Sequence, residues 1–150
     1  MKAFPPKERK GVYRAIFSRW DACAFRPDPI PPWLLARLLQ AAHQSPSVGL
    51  VQPWNFIVIT NTAIKHQVHA HVSREKEHAA YDGHDKHSEI SRSLTLEGIL
   101  TAPINLCVTC DPTRFAPGTV GSHPILDFFS VCCAIDKLRL IARAEGIGVG

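Results

Sequence analysis

Long apolar runs, an export signal and a disulfide framework are all missing from this chain of 150 residues. No stretch approaches the roughly 20 apolar residues that cross a bilayer. The first six residues, MKAFPP, contain no apolar signal core. Five cysteines, two of them adjacent at Cys132 and Cys133, do not fit a secreted disulfide scaffold. The sequence therefore predicts a cytoplasmic protein with reduced thiols and no membrane partner.

A clustered basic stripe is also missing. The formal net charge is +4, and the lysines and arginines are scattered along the chain. Nucleic-acid binding calls for basic residues grouped on one face, so we expect no nucleic-acid partner and favour a small anionic ligand. Because 45% of the residues are hydrophobic, residues 1–150 can build the core of one domain.

Helices and short strands alternate in the predicted pattern. Apolar spacing predicts helices over residues 9–20, 32–44, 62–79, 88–100 and 125–144, with Gly146 as the cap of the last. Strands are predicted over 55–60 and 104–110, and a third is expected to begin at Ile147. In the last helix we expect a set of apolar side chains to be buried: Phe128, Phe129, Val131, Ile135, Leu138 and Leu140. The pattern indicates a mixed α/β (α+β) fold.

The stretch from Ser45 to Phe56, SPSVGLVQPWNF, is the most informative part of the chain. It follows an apolar helix, precedes a strand, and combines one glycine, two prolines and several uncharged hydrogen-bonding groups. Such a loop can bring backbone groups close to a flat polar ring without adding charge. Together with the rest of the chain, it favours a flavin site.

Nine segments resemble, in the same order, members of the 5,6-dimethylbenzimidazole synthase family, a branch of the nitroreductase-like flavoproteins. The segments are Tyr13-Arg14-Ala15-Ile16, Arg19 with Asp21, and residues 41–49, 52–56, 96–99, 102–103, 107–111, 130–135 and 142–150. Any one of them is a weak signal, but their shared order identifies the chain as a member of this family.

The resemblance implies a fold, a reaction and partners. The expected fold is the nitroreductase-like three-layer arrangement, and the expected assembly is a homodimer with FMN at the subunit interface. The implied reaction fragments reduced FMN with O₂ to 5,6-dimethylbenzimidazole, the lower ligand of cobalamin. FMN is consumed, so a separate flavin reductase would supply it reduced at the expense of NAD(P)H. Family members continue after the third strand, and we therefore expect this chain to be incomplete at its C-terminus.

The resemblance also places the phosphate of FMN. Family members carry a segment of the pattern Arg-Arg-Asp-x-Arg, whose arginines hold that phosphate. Here Arg19 and Asp21 match, Trp20 replaces the second arginine, and Cys23 stands near the third. Each lost charged hydrogen bond removes roughly 1.5–3 kcal/mol of binding. The sequence leaves open whether another arginine compensates, and Arg14 and Arg26 are the candidates that it offers.

By resemblance, Asp21 is the predicted catalytic residue, assisting proton transfers beside the flavin. The alternative is that Asp21 only pairs with Arg19 or caps a turn, on a solvated helix end.

Further flavin contacts are implied at two places. Ser47, Gly49 and Gln52 are expected to contact the ring and the ribityl chain. Leu96 would form a wall near the flavin and Glu97 a polar partner, although Glu97 is equally consistent with an exposed helix residue.

No metal site is predicted. Cys107 and Cys110 are three residues apart in a strand, where side chains alternate, so the two thiols point to opposite faces. We expect buried structural thiols. His66 and His69 share a helical face, but no carboxylate cluster completes a ligand set.

Two other functions remain open. One is a nitroreductase-type enzyme that keeps FMN bound and takes hydride from NAD(P)H. The other is an inactive flavin-binding remnant, which the altered phosphate segment favours. The same remnant is favoured by residues 118–124, GTVGSHP, which lack a Leu-Gly-Arg element of the family.

Overall fold

A computed structural model describes residues 2–81, 96–114 and 124–150. These residues divide into two compact units. The first unit lies within Met1–Ala22, Ile30–Ile57 and Cys107–Val149, and the second within Cys23–Pro29, Val58–Leu106 and Gly150. The single domain predicted for residues 1–150 stays a prediction.

The described elements follow the predicted order closely. They are α1 (Pro6–Phe17), α2 (Pro32–His43), a 3-10 turn (Val48–Leu50), β1 (Trp54–Ile59), α3 (Thr62–Tyr81), α4 (Glu97–Thr101), β2 (Asn105–Cys110) and α5 (Pro124–Ala144). Of the helix predicted over 88–100, residues 88–95 lie outside the described residues. The same holds for most of the loop over 112–124, including the positions compared with the Leu-Gly-Arg element.

The first helix differs from its prediction at both ends. It begins at Pro6, because a proline in the first turn loses no helical hydrogen bond, and it ends at Phe17. The amide of Ser18 closes the last turn on the carbonyl of Arg14 at 3.0 Å. Arg19 and Asp21 therefore lie beyond the helix in an irregular segment, not at its end as the periodicity predicted. We call residues 18–22 the basic segment.

The core of the first unit lies between α2 and α5. Buried side chains follow one another at helical spacing on both helices: Leu34, Leu38 and Ala42 on α2, and Val131, Ala134, Leu138 and Ala142 on α5. Three of them are alanines without any exposure, so the two backbones approach closely. Gly146, with φ of 78°, ends α5 as predicted, and the amide of Ile147 reaches the carbonyl of Ala142 at 2.8 Å.

Two of the predicted core residues are exposed, and Ile135 and Leu140 are only half-buried. Phe128 is 59% exposed and Phe129 57%, whereas Val131 and Leu138 are buried as predicted. Their side chains leave α5 on a face that no described element of the chain covers. The prediction was wrong because an apolar side chain is not by itself evidence of which face is covered.

The sheet has two strands, β1 and β2. The amide of Asp111 donates to the carbonyl of Pro53 at 2.7 Å, and Asn55 lies beside Thr109 at 3.4 Å. Residue numbers rise from Pro53 to Asn55 at the start of β1 while those of their partners fall from Asp111 to Thr109 at the end of β2. The two strands are therefore antiparallel. The strand predicted from Ile147 is not formed. Residues 147–150 are irregular. One backbone hydrogen bond, from the Ala22 amide to the Val149 carbonyl, joins them to the basic segment, and a single bond does not make a β-ladder.

In the second unit, α3 and α4 pack around a buried lysine. The Asn61 side chain caps α3 by accepting the amides of the second and third residues that follow it, at 2.9 and 3.2 Å. Lys65 is 6% exposed and donates to the carbonyls of Ala102 and Pro103 at 2.6 and 3.0 Å. Both acceptors follow α4, so the lysine satisfies carbonyls that the helix leaves unpaired.

Candidate functional site

A salt bridge joins the basic segment to α5. Arg19 pairs with Asp21 at 2.7 Å, and Arg139 of α5 pairs with the same carboxylate oxygen. The Asp21 side chain is 57% exposed. The pairing that the sequence offered as the alternative for Asp21 is thus present, and Arg139 adds a second guanidinium group to it. The catalytic role of Asp21 stays a prediction.

Trp20, which stands where the family has an arginine, is an exposed aromatic platform. Its ring lies under the guanidinium group of Arg143, 4.8 Å from carbon to ring centroid. The Nε of Arg143 also donates to the carbonyl of Ser18 at 2.9 Å. The substitution has therefore exchanged a cation for a ring that holds another cation in place.

The loop from Ser45 to Pro53 has a strained backbone. Gly49, Leu50 and Gln52 adopt φ values of 62°, 57° and 49°. Glycine tolerates this conformation freely, whereas a leucine or glutamine there is costly and persists only where neighbours impose it. Such strain occurs often at binding sites. The contact of Ser47, Gly49 and Gln52 with a ligand stays a prediction.

Hydrogen bonds hold this loop from within and from α5. The amide of Gln52 donates to the Ser47 hydroxyl at 2.7 Å, and the Ser45 hydroxyl donates to the Cys133 carbonyl at 3.1 Å. The amide of Val48 donates to the Ser130 hydroxyl at 3.3 Å. Ser47 and Gln52 are thus brought together, and the loop rests on the first half of α5.

Arg114, which the sequence analysis did not single out, fixes the end of this loop. Its guanidinium group donates to the carbonyls of Gln52 and Trp54 at 2.6 and 3.3 Å and to the Asn55 side chain at 2.7 Å. The only sequence signal was a lone arginine shortly after β2. That signal is too common to be assigned without the fold.

Trp54 anchors the loop on its other side. It is 1% exposed, and its indole N–H donates to Nδ1 of His43 at 3.0 Å. The carbonyl of His43 in turn accepts the Gln52 side-chain amide at 3.1 Å. The end of α2 and the start of β1 therefore bracket Gln52.

Leu96 and Glu97 belong to the second unit. Leu96 is half-buried and precedes α4, while Glu97 is exposed in its first turn. Gly98 faces Phe25 so closely that an added Cβ would lie 2.7 Å from the ring. Glu97 is thus an exposed helix residue, which is the alternative that the sequence left open. Its contact with a flavin stays a prediction.

The two predicted parts of the site lie on opposite faces of α5. Ser130, Cys133 and Lys137 contact the loop and the end of α2, the last through the Gln44 carbonyl. Arg139 and Arg143 contact the basic segment. Nine residues separate Ser130 from Arg139, which is two and a half turns at about 3.6 residues per turn. One α5 helix therefore separates the Ser45–Pro53 loop from the basic segment.

The thiols and histidines form no metal centre in the described residues, where no three His, Cys, Asp or Glu side chains are grouped to hold an ion. None of the five cysteines forms a disulfide, and Cys107 is exposed, so the prediction of a buried thiol there was wrong. Burial raises the pKa of the Cys110 thiol, and the Asp127 carboxylate acts in the same direction. No helix in the described parts of the chain is long and apolar enough to cross a membrane.

Comparison with known proteins agrees with this architecture. A model of the nitroreductase family matches residues 16–150. A 5,6-dimethylbenzimidazole synthase of Rhodospirillum rubrum is 35% identical over 149 residues, which cover 98% of this chain and 71% of that protein. A nitroreductase with bound FMN from Bacteroides fragilis is 25% identical, with a TM-score of 0.66 over 91% of this chain and 66% of that one. An iodotyrosine deiodinase bound to FMN and 3-iodo-L-tyrosine has a TM-score of 0.76 at 21% identity, covering 91% and 71%.

The chain is therefore an α+β protein with the nitroreductase fold, and the predicted fold class is confirmed. It belongs to the nitroreductase family and, within it, to the 5,6-dimethylbenzimidazole synthases.

The donor groups of this chain suit the two ends of FMN. The basic segment with Arg139 and Arg143 presents guanidinium groups, which match a phosphate. The loop presents backbone and uncharged side-chain groups, which match a neutral polar ring.

Proposed function

We propose that this chain catalyses the oxygen-dependent fragmentation of reduced FMN to 5,6-dimethylbenzimidazole. The observation that carries the proposal is the 35% identity to a synthase of that name over 98% of the chain. Reduced FMN supplies the electrons that react with O₂, so the protein's contribution is binding, orientation, exclusion of water and proton transfer. A separate reductase, using NAD(P)H, regenerates the reduced flavin, and the reaction takes place in the cytoplasm.

In this proposal each group has a distinct task. Arg19 binds the phosphate, and Asp21, held by Arg19 and Arg139, is placed to hold or release a proton beside the flavin. Ser47 and Gln52 orient the ring through a loop whose shape they themselves stabilise.

The arrangement around α5 supports a homodimer in which two copies share each flavin. The loop and the basic segment face away from each other across one helix, so the loop of one copy would meet the basic segment of the other. Exposed apolar side chains support the same assembly, since Leu50 of the loop is 86% exposed and Ile125, Phe128 and Phe129 are exposed on α5. Burying each of them against a partner would contribute about 1.5–3 kcal/mol.

Light scattering after size exclusion tests the assembly. We expect a dimer that Phe129→Asp converts to a monomer with much weaker flavin binding. Ile64→Asp, at an exposed apolar position on α3, is the matched control and should stay dimeric. A monomeric wild-type chain that binds FMN tightly would contradict the shared site.

A second candidate is an NAD(P)H-dependent flavin oxidoreductase of the nitroreductase type. It is favoured by the likeness to a nitroreductase with bound FMN. The loss of arginines from the basic segment would instead favour an inactive flavin-binding remnant.

One assay separates these functions. The purified chain is incubated in air with FMN, a separate flavin reductase and NADH, and 5,6-dimethylbenzimidazole is measured by mass spectrometry. We expect product, reduced about 100-fold or more in Asp21→Asn with flavin binding retained. Asp28→Asn is the control, because Asp28 is also an exposed aspartate paired with an arginine.

The other outcomes point elsewhere. Consumption of NADH without the reductase, and without product, would establish the nitroreductase-type function. Neither product nor retained flavin would establish the remnant.

A further inference from the structure

Three arginines converge on a small cavity at the end of α5. Arg19, Arg139 and Arg143 line it together with Trp20 and the backbone of residues 146–149, and its volume is about 90 Å³. That space suits a phosphate group and is far too small for a flavin ring system. Arg139 and Arg143 are one helical turn apart, so their guanidinium groups reach the cavity from the same face of α5.

The charges around this cavity do not cancel. Asp21 is the carboxylate of the cluster, and it accepts from both Arg19 and Arg139. Arg143 contacts a carbonyl and an aromatic ring, and it has no salt bridge to a carboxylate within the described residues. The nearby Glu145 is paired with Arg37 at 2.8 Å. Three cations against one anion leave two positive charges, the complement of a phosphate-monoester dianion.

Partial burial makes this excess costly without a ligand. The side chains of Arg19 and Arg139 are only 32% and 27% exposed. Like charges brought together in a partly desolvated place oppose one another, and an anion relieves that cost. A network built only for stability would need a second carboxylate here, and the described residues provide none.

We propose that Arg139 and Arg143 complete, with Arg19, a site for a phosphate-monoester dianion, and that the phosphate of FMN occupies it. This occupant rests on the proposed function. Arg139 then replaces a cation that the basic segment has lost, whereas Arg143 belongs to the family-matching residues 142–150 and is held at the cavity by the Trp20 ring. The replacement comes from α5, not from Arg14 or Arg26, the two candidates that the sequence offered.

The helix dipole opposes the proposal only weakly. The C-terminal end of α5 carries partial negative charge, which disfavours an anion by about twofold to fivefold in affinity at an exposed site. Loss of one charge-assisted hydrogen bond weakens binding by roughly 10- to 100-fold. Three guanidinium groups therefore outweigh the dipole.

The first experiment measures inorganic phosphate binding by isothermal titration calorimetry. The wild-type chain is compared with Arg139→Gln, Arg143→Gln and the control Arg9→Gln, which removes an equal charge from an exposed position on α1. We expect each of the first two variants to weaken phosphate binding roughly 10- to 100-fold and the control to leave it unchanged. No phosphate binding to the wild-type chain, or equal binding to all four proteins, would overturn the site.

The second experiment compares FMN with riboflavin, which lacks the phosphate, by fluorescence quenching. We expect FMN to bind at least tenfold more tightly, and Arg139→Gln to remove that preference while riboflavin binding is kept. Riboflavin binding also verifies that the variant is folded. Equal wild-type affinity for the two flavins would overturn the phosphate as the occupant while leaving the proposed function standing. Phosphate binding that depends on Arg139, without any flavin binding, would support the dianion site and refute FMN as its ligand together with the proposed function.

Discussion

Arg114 holds the end of the Ser45–Pro53 loop, and we expect its replacement to lower the free energy of unfolding measurably. Its two short hydrogen bonds, to the Gln52 carbonyl at 2.6 Å and to the Asn55 side chain at 2.7 Å, are donated by a charged group. Such bonds contribute about 1.5–3 kcal/mol each when water is excluded. The Arg114 side chain is 38% exposed, so water can replace part of what is lost. We therefore expect Arg114→Met to reduce the free energy of unfolding by about 2 kcal/mol.

The assay is unfolding in urea, followed by the fluorescence of the tryptophans. With an m-value of about 2 kcal/mol/M, the loss lowers the midpoint by roughly 1 M. Arg114→Lys keeps the charge but not the planar fork, so it should lose about half as much. Hydrogen exchange of residues 47–55 should rise in both variants, because the left-handed backbone at Gln52 is held by this contact. If the midpoint for Arg114→Met lies within about 0.2 M of that for Arg9→Met, a difference of about 0.4 kcal/mol, Arg114 does not stabilise the loop as described.

Three further predictions concern single side chains. Lys65→Met should lower the free energy of unfolding by about 2–4 kcal/mol, measured in urea, because two buried carbonyls lose their donor. Hydrogen bonds from Thr113 lower the pKa of Asp111. The ionised carboxylate therefore stabilises the folded protein at a pH above the ordinary carboxyl pKa, and this stabilisation is lost as the pH falls through the lowered pKa. Thr113→Val should raise that pKa toward its usual range in an NMR titration. Because burial raises the pKa of Cys110, iodoacetamide at pH 8 should alkylate it more slowly than the exposed Cys107, as measured by peptide mass spectrometry.

The sequence predicted the ends of helices well where one residue with special backbone preferences, a proline or a glycine, sets the end. Proline at the start of α2 and Gly146 at the end of α5 set the bounds of helices, and both were found as predicted. The α1 bounds were less accurate, because Trp20 and its apolar neighbours continue a helical spacing beyond the last helical residue, Phe17. Periodicity records which side chains would share a face, not where the backbone leaves the helix.

Contacts between distant segments were beyond the reach of the sequence. Arg114 and Gln52 are 62 residues apart, and nothing local in either indicates the other. The same holds for Arg139 on α5, which the sequence analysis did not single out. Its partner Asp21 lies 118 residues earlier, and the fold alone brings the two together.

The sidedness of α5 decides what one chain can do by itself. One face of α5 holds the Ser45–Pro53 loop, through Ser130, and the opposite face holds Arg139 of the proposed phosphate site. The helix therefore does not present both parts to one small ligand. The exposed Leu50 and Phe129 lie at the loop end of that helix, where a second copy would cover them. Flavin affinity should therefore depend on protein concentration in the range of dimer dissociation, because only the dimer joins a loop to a basic segment. Phosphate binding at Arg19, Arg139 and Arg143 lies within one chain, and it should show no such dependence.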